Sequence, residues 1–331
     1  MLRRVPDRAR TGSPVRPTCQ DMSMKTAVLF PGQGSQYAGM ADPWTGHAAG
    51  RATLEEASDV LGYDVVEACR DDDRLADTAV VQPALFACVL AGHRVLESEG
   101  LDFAMTAGHS LGEYAALVAA GATPFRETLE AVVERGRAMH DASERNPGAM
   151  TALVGISPTD AKDIVRVAGR GDVLTVANEN SPKQTVVSGT VAAVERAEDL
   201  AHSRRARVVR LNVAGGFHSP LMQPALPRVR EAVARLRFTE PRVAVVPNVS
   251  GRPTTQPAAL RDLLSRHLVS PVRWERSMKA MADDGVEMFV EVGPGDVLTK
   301  LAKRCVPGAR AVAVGSPAEV AELVAEGVRT P

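Results

Sequence analysis

Apolar positions recur along this chain in two alternating periods. Lys25 to Phe30 is a continuous run of the kind buried on both faces of a sheet, and Pro31 to Gln36 is a glycine-rich loop placed to open a helix. Helical spacing follows at Ala52 to Leu61, Pro83 to Glu97, Glu113 to Ala120 and Phe125 to Ala142. Strand-like runs return at Val243 to Pro247, Met288 to Val292 and Arg310 to Gly315. Strands alternating with helices predict an α/β fold with a doubly wound, mostly parallel sheet. The middle of the chain breaks the rhythm. Gly148 to Gly155 reads as a strand, Thr159 to Ala168 as a helix, Val173 to Ala177 and Gln184 to Ser188 as two strands, Ala192 to His202 as a helix and Ala206 to Leu211 as a strand. That order, βαββαβ, is the ferredoxin-like unit. The expected organisation is a large hydrolase-like α/β domain over residues 24–147 and 214–331, a ferredoxin-like domain inserted over 148–213, and a site in the cleft between them.

Gly108-His109-Ser110-Leu111-Gly112 falls between the apolar stretch Leu101 to Ala107 and the helical run from Glu113. A serine on a tight strand-to-helix turn holds its hydroxyl clear of the backbone, and flanking glycines let strand and helix approach without a Cβ clash. The helix also aims its unpaired N–H groups and positive dipole end at an oxyanion forming beside that serine. The setting points to acyl chemistry through an ester on Ser110, although the five-residue pattern alone also suits an ordinary glycine-flanked turn.

The run Gly108 to Leu117, together with Phe30-Pro31-Gly32-Gln33-Gly34-Ser35-Gln36, closely resembles malonyl-CoA:acyl carrier protein transacylases. Further blocks match in order: Gln82-Pro83-Ala84-Leu85, Glu134 to Met139, Asn180-Ser181-Pro182 with Gln184, Phe217 to Met222, Ser270 to Trp274 and Glu291 to Gly295. The resemblance runs from Met24 to about Val314. It implies the same two-part architecture and a malonyl transfer through a Ser110 ester, with His218 as the base. The histidine's orienting group is then a main-chain carbonyl at His267, a position that also reads as a plain helix end. Gln33 N–H and Leu111 N–H are the implied oxyanion donors. Asp160, Asp163, Asp172 and Glu179 are poor candidates for a triad acid, since they fall in the inserted segment.

The resemblance also selects Arg135 for the malonyl carboxylate, which a guanidinium binds with two parallel donors. Helical pattern alone does not separate Arg135 from Arg137, and both read as solvated arginines flanking an apolar face. Leu111 and Phe217 match bulk that leaves little room for a branched acyl group, and His109, Gln82, Met139 and Asn180 match pocket residues. Polar or helix-like surroundings place His47, His93, His140 and His202 at the surface.

The 331 residues, 45% of them hydrophobic, suffice for a large core. A formal net charge of −1 gives no global case for nucleic acid or a membrane surface as partner. The expected partners are malonyl-CoA and an acidic, phosphopantetheinylated acyl carrier protein, which calls for a local basic patch. Arg204, Arg205, Arg207 and Arg210, or Lys303 and Arg304, are the candidates. Cys19, Cys69, Cys88 and Cys305 lack metal-site spacing and read as reduced thiols, so no disulfide, metal or other cofactor is expected, and the location is cytoplasmic. Residues 1–23, with five arginines, three prolines and no apolar run, read as a disordered extension rather than a secretory signal. An acyl-carrier thioesterase or proofreading hydrolase is the alternative on the same scaffold, but it favours a neutral residue at position 135. A non-enzymatic carrier-docking module would have eroded Ser110 or His218.

Overall fold

A computed structural model describes residues 24–326; the expectation for residues 1–23 lies outside them. Among the described residues the strands are β1 (Thr26–Phe30), β2 (Met105–Gly108), β3 (Ala149–Val154), β4 (Leu174–Ser181), β5 (Gln184–Gly189), β6 (Arg207–Arg210), β7 (Ala244–Val245), β8 (Met288–Val292) and β9 (Arg310–Val314). They form two sheets, ordered β7-β2-β1-β8-β9 and β4-β5-β3-β6. Every pairing in the first sheet is parallel. Side chains alternate across β1, so Val28 and Phe30 join the core under the helices Thr78–Ser98 and Gly112–Ala119, while Ala27 and Leu29 join the core under Trp274–Asp283 and Val297–Cys305. Burial on both faces is why β1 is apolar from Ala27 to Phe30.

The second sheet is antiparallel throughout and built from the βαββαβ segment. Helices Pro158–Gly169 and Val191–Ser203 cover one face, packing Ile164, Ala197 and Ala201 on Leu153 and Val187. Its opposite face, with Ala152, Ala177 and Val186, joins the main core. The second sheet is tied by main chain to the loop before the helix Trp274–Asp283: Val272 N–H donates to Ala177 C=O and Glu179 N–H donates to Val272 C=O, both at 2.8 Å.

Several expectations change. The Pro31 to Gln36 loop does not run straight into a helix; turns continue to the short helix Asp42–Thr45. The helix expected from Pro83 begins at Thr78, because the Asp77 side chain caps it by accepting Ala79 N–H at 2.8 Å. The run at Val243 to Pro247 shortens to a two-residue strand. Val246 N–H still reaches Thr106 C=O, but Pro247 has no N–H with which to continue the ladder. Thr78–Ser98 is long and apolar enough to cross a membrane, yet 83% of its most apolar window is buried inside the protein, as suits a core helix. Cys69, Cys88 and Cys305 are free and buried.

His93 is also not a surface residue. It is 1% exposed, edge-on to Phe30 and Phe103, and neither ring nitrogen has a hydrogen-bond partner. Burial pulls its pKa from 6.5 down to about 4. Above pH 6.5 both folded and unfolded chains hold this imidazole neutral. As pH falls from 6.5 towards 4 the unfolded chain takes up the proton first, and stability drops by about 1.4 kcal/mol per unit from this group. His93→Phe is therefore expected to flatten the decline of Tm over that interval. Parallel Tm curves for variant and wild type would reject this role for His93.

Candidate active site

The chain turns at the end of β2 from Gly108 into the helix Gly112–Ala119, with Ser110 in the left-handed region at φ 52°. A non-glycine residue there costs on the order of 1–3 kcal/mol and persists only where surrounding contacts over-determine it. A Cβ on Gly108 would lie 1.9 Å from the Gly112 carbonyl, and one on Gly112 would lie 2.1 Å from the Phe30 carbonyl oxygen. Glycine at both places is thus a packing requirement. The loop after β1 closes over the same turn: a Cβ on Gly32 would come within 2.4 Å of the His109 carbonyl oxygen and 3.7 Å of Leu111 N. Gln33 follows directly, so its N–H and that of Leu111 belong to adjoining backbone.

His218, itself at φ 54°, is 4% exposed, with Nε2 2.7 Å from Ser110 Oγ. Its Nδ1 lies 3.3 Å from the His267 carbonyl and 3.1 Å from the Ser270 carbonyl. Carbonyl oxygens only accept, so Nδ1 carries the proton and Nε2 is free to take the Ser110 hydroxyl hydrogen. The expected orienting carbonyl is present, but Ser270 supplies a second and shorter contact. No side-chain acid is needed in this arrangement. Burial, and then the Arg135 charge, hold His218 at about pKa 3, which keeps it a neutral base.

Arg135 and Arg137, alike by pattern, part company in the fold. Arg137 is 62% exposed at its side chain, whereas Arg135 is 2% exposed on the inner face of Phe125–Arg145. The guanidinium donates to Gln82 Oε1 and, at 3.1 Å, to Ser110 Oγ, and it faces the Tyr114 ring. These partners are all neutral, so a buried cation stands beside the serine with no carboxylate in direct contact. Gln82 continues the chain, donating to Met139 Sδ at 3.3 Å and lying 3.5 Å from Gln33 Oε1.

On the other side of the turn, His109 packs on Trp274 and its Nε2 lies 2.9 Å from Asn180 Oδ1 on β4. Leu111 and Phe217 are buried beside Ser110 and His218. A groove of about 470 Å³ leads here, lined by Gln33, His109, Asn178, Asn180, Arg210 and Leu301 among others.

Two contributors have no role assigned by the sequence. Ser270 sat in a recognised block without a task, and main-chain acceptors leave no residue-type signature. Asn248 lies just beyond β7, directly after the strand-like run Val243 to Pro247, and no motif marks it; only its place at the end of a strand beside β2 hints at a role. Its Oδ1 accepts Ser110 N–H at 2.8 Å and its Nδ2 donates to Gly108 C=O at 2.6 Å. His267 does more than offer its carbonyl, since its Nε2 lies 3.2 Å from Asn248 Oδ1. Of the basic candidates, Arg204 pairs with Asp163, and Arg210 pairs with Glu195 and Glu198. Arg205, Arg207, Lys303 and Arg304 are exposed.

The geometry has counterparts in known proteins. A family model described as acyl transferase domain matches residues 28–327. The malonyl CoA-acyl carrier protein transacylase of Escherichia coli (strain K12) is 40% identical over 300 residues, covering 89% of this chain and 97% of that protein. A crystal structure of an acyl carrier protein S-malonyltransferase from Vibrio cholerae superposes with a TM-score of 0.86 at 40% identity, over 90% of this chain and 99% of that one. A type II polyketide malonyl-transacylase, solved in complex with its acyl-carrier protein, gives a TM-score of 0.88 at 36% identity, over 91% and 99% of the two chains. With the elbow, the inserted antiparallel sheet and near-complete coverage in agreement, the chain belongs to the acyl transferase domain family and, within it, to the malonyl CoA-acyl carrier protein transacylases.

Proposed function

We propose that this chain moves malonyl groups from malonyl-CoA to the phosphopantetheine thiol of an acyl carrier protein in fatty acid or polyketide synthesis, through an ester on Ser110. His218 Nε2 takes the Ser110 hydroxyl proton as Oγ bonds to the thioester carbon. The oxyanion rests on Gln33 and Leu111 N–H, donors of a kind worth about 2.7 to 4 kcal/mol each to such a barrier. The C–S bond then breaks and the departing CoA sulfur receives the proton from His218. The carrier thiol reverses these steps in a second half-reaction, which makes the kinetics ping-pong.

Arg135 holds the malonyl carboxylate, and Gln82 holds Arg135. Met139, Phe217, His109 and Asn180 shape the surroundings, and His267 and Ser270 fix the imidazole. The site lies between a large domain, residues 24–147 and 214–326, and an insert of residues 148–213. Exposed Arg205, Arg207, Lys303 and Arg304 offer an acidic carrier its electrostatic footing. The buried free thiols suit the reducing cytoplasm.

One observation supports this reading above the others: the Ser110 hydroxyl lies within hydrogen-bond reach of both a neutral imidazole and a buried guanidinium. A hydrolase of plain acyl chains would have no use for that cation, and none of the relatives described above is a hydrolase. Incubation with malonyl-CoA and no carrier protein should leave a malonyl ester, seen as a mass shift of the intact protein and mapped by peptide digestion to Ser110. A label on another residue would remove the assignment.

A further inference from the structure

We infer that Asn248 is a positioning residue for acyl transfer, holding the Ser110 elbow in its reactive shape; this rests on the reading of Ser110 as nucleophile. Asn248 is wholly buried and every polar group it has is engaged. Its amide brackets His109 in the turn, accepting Ser110 N–H at 2.8 Å and donating to Gly108 C=O at 2.6 Å. Its own N–H donates to Glu113 Oε2 at 2.8 Å, and its C=O accepts Arg273 N–H at 3.1 Å. Those two amide contacts fix which end of the side chain is oxygen. His267 Nε2, 3.2 Å from that oxygen, must therefore be the protonated nitrogen of its ring.

The bracket has two effects on the nucleophile. It holds Ser110 at positive φ, the conformation that points Oγ at His218 rather than along the helix. It also occupies the Ser110 N–H, leaving the Leu111 N–H as the donor at the helix start. One amide further connects the serine to the histidine's orienting shell: His267 carries one of the two carbonyls on His218 Nδ1, and Arg273 lies three residues beyond Ser270, which carries the other. A residue that merely filled core volume would need none of these directions.

Asn248→Ala and the near-isosteric Asn248→Asp, which keeps an acceptor for Ser110 N–H but loses the donor to Gly108 C=O, separate positioning from folding. Malonyl ester formation is followed by rapid quench in the absence of carrier protein. Its final amplitude counts folded sites and its rate constant reports alignment. The expected result is an amplitude near one per chain, a rate constant 10- to 100-fold lower for Ala and lowered also for Asp, whose second oxygen meets the Gly108 carbonyl acceptor to acceptor, and a KM for malonyl-CoA within about threefold of wild type. Amplitude falling in step with activity at an unchanged rate constant would overturn the inference and leave Asn248 a fold-stabilising residue. Should the Ala variant not fold, a wild-type rate constant in the Asp variant would overturn it equally. Wild-type labelling at Ser110 in the same experiment checks the nucleophile independently.

Discussion

Ser110→Ala and His218→Ala should each lower malonyl transfer by about 10⁴-fold or more, and combining them should cost little beyond either one. The near-absence of additivity follows from the geometry: Oγ and Nε2 share a single proton across 2.7 Å, so removing either partner disables the other. Ser110→Ala should also leave no ester at all. His218→Ala should keep the hydroxyl yet acylate only at a residual rate sustained by the oxyanion donors. The protonation state adds a pH signature. Burial and the Arg135 charge hold His218 at about pKa 3 in the free protein, so the acid limb of kcat/KM should fall well below the 6.5 of an ordinary imidazole. Stopped-flow measurement of CoA release reads both effects. A His218→Ala enzyme within tenfold of wild type would exclude that residue as the base.

Arg135→Ala should reduce the kcat/KM ratio of malonyl-CoA over acetyl-CoA by about a hundredfold to several thousandfold. A buried carboxylate without its partner loses a charge-assisted pair and stays desolvated, a penalty of roughly 3 to 5 kcal/mol, whereas an acetyl group never uses the contact. Comparing two substrates on one variant cancels any loss of folded protein. Arg135→Lys should recover part of the ratio, because an ammonium supplies charge but not two parallel donors. An unchanged ratio would make Arg135 a structural residue and leave malonyl selectivity without a physical basis.

Much of the architecture was legible because period and burial agree. β1 after Thr26 and β8 apart from Glu291 are apolar and buried on both faces, and the two helices of the insert carry their apolar stripes against one side of β3 and β5. Boundaries slipped where a side chain or a missing N–H decided them, as with the Asp77 cap and Pro247. In the site, Ser110 announced itself through the glycines that its turn demands. Arg135 did not, since helical spacing cannot tell a residue facing a pocket from one two positions on that faces water. His93 was misplaced because a histidine on a polar-flanked helix looks solvated until Phe30 and Phe103 are folded against it. Asn248 and the Ser270 carbonyl work through backbone contacts between distant segments, and no local pattern encodes such a meeting.

The main-chain seam at Val272 has a mechanical consequence. CoA and the carrier's pantetheine arm are long, and each must enter the groove and withdraw in every cycle. Parting the insert from the loop at Val272 would break two main-chain hydrogen bonds, at about 1–3 kcal/mol for each buried group left without a partner. Opening along this line is therefore costlier by that amount than opening where no such bonds cross. Ser270, whose carbonyl faces His218 Nδ1, lies two residues from the seam and shares that resistance to opening.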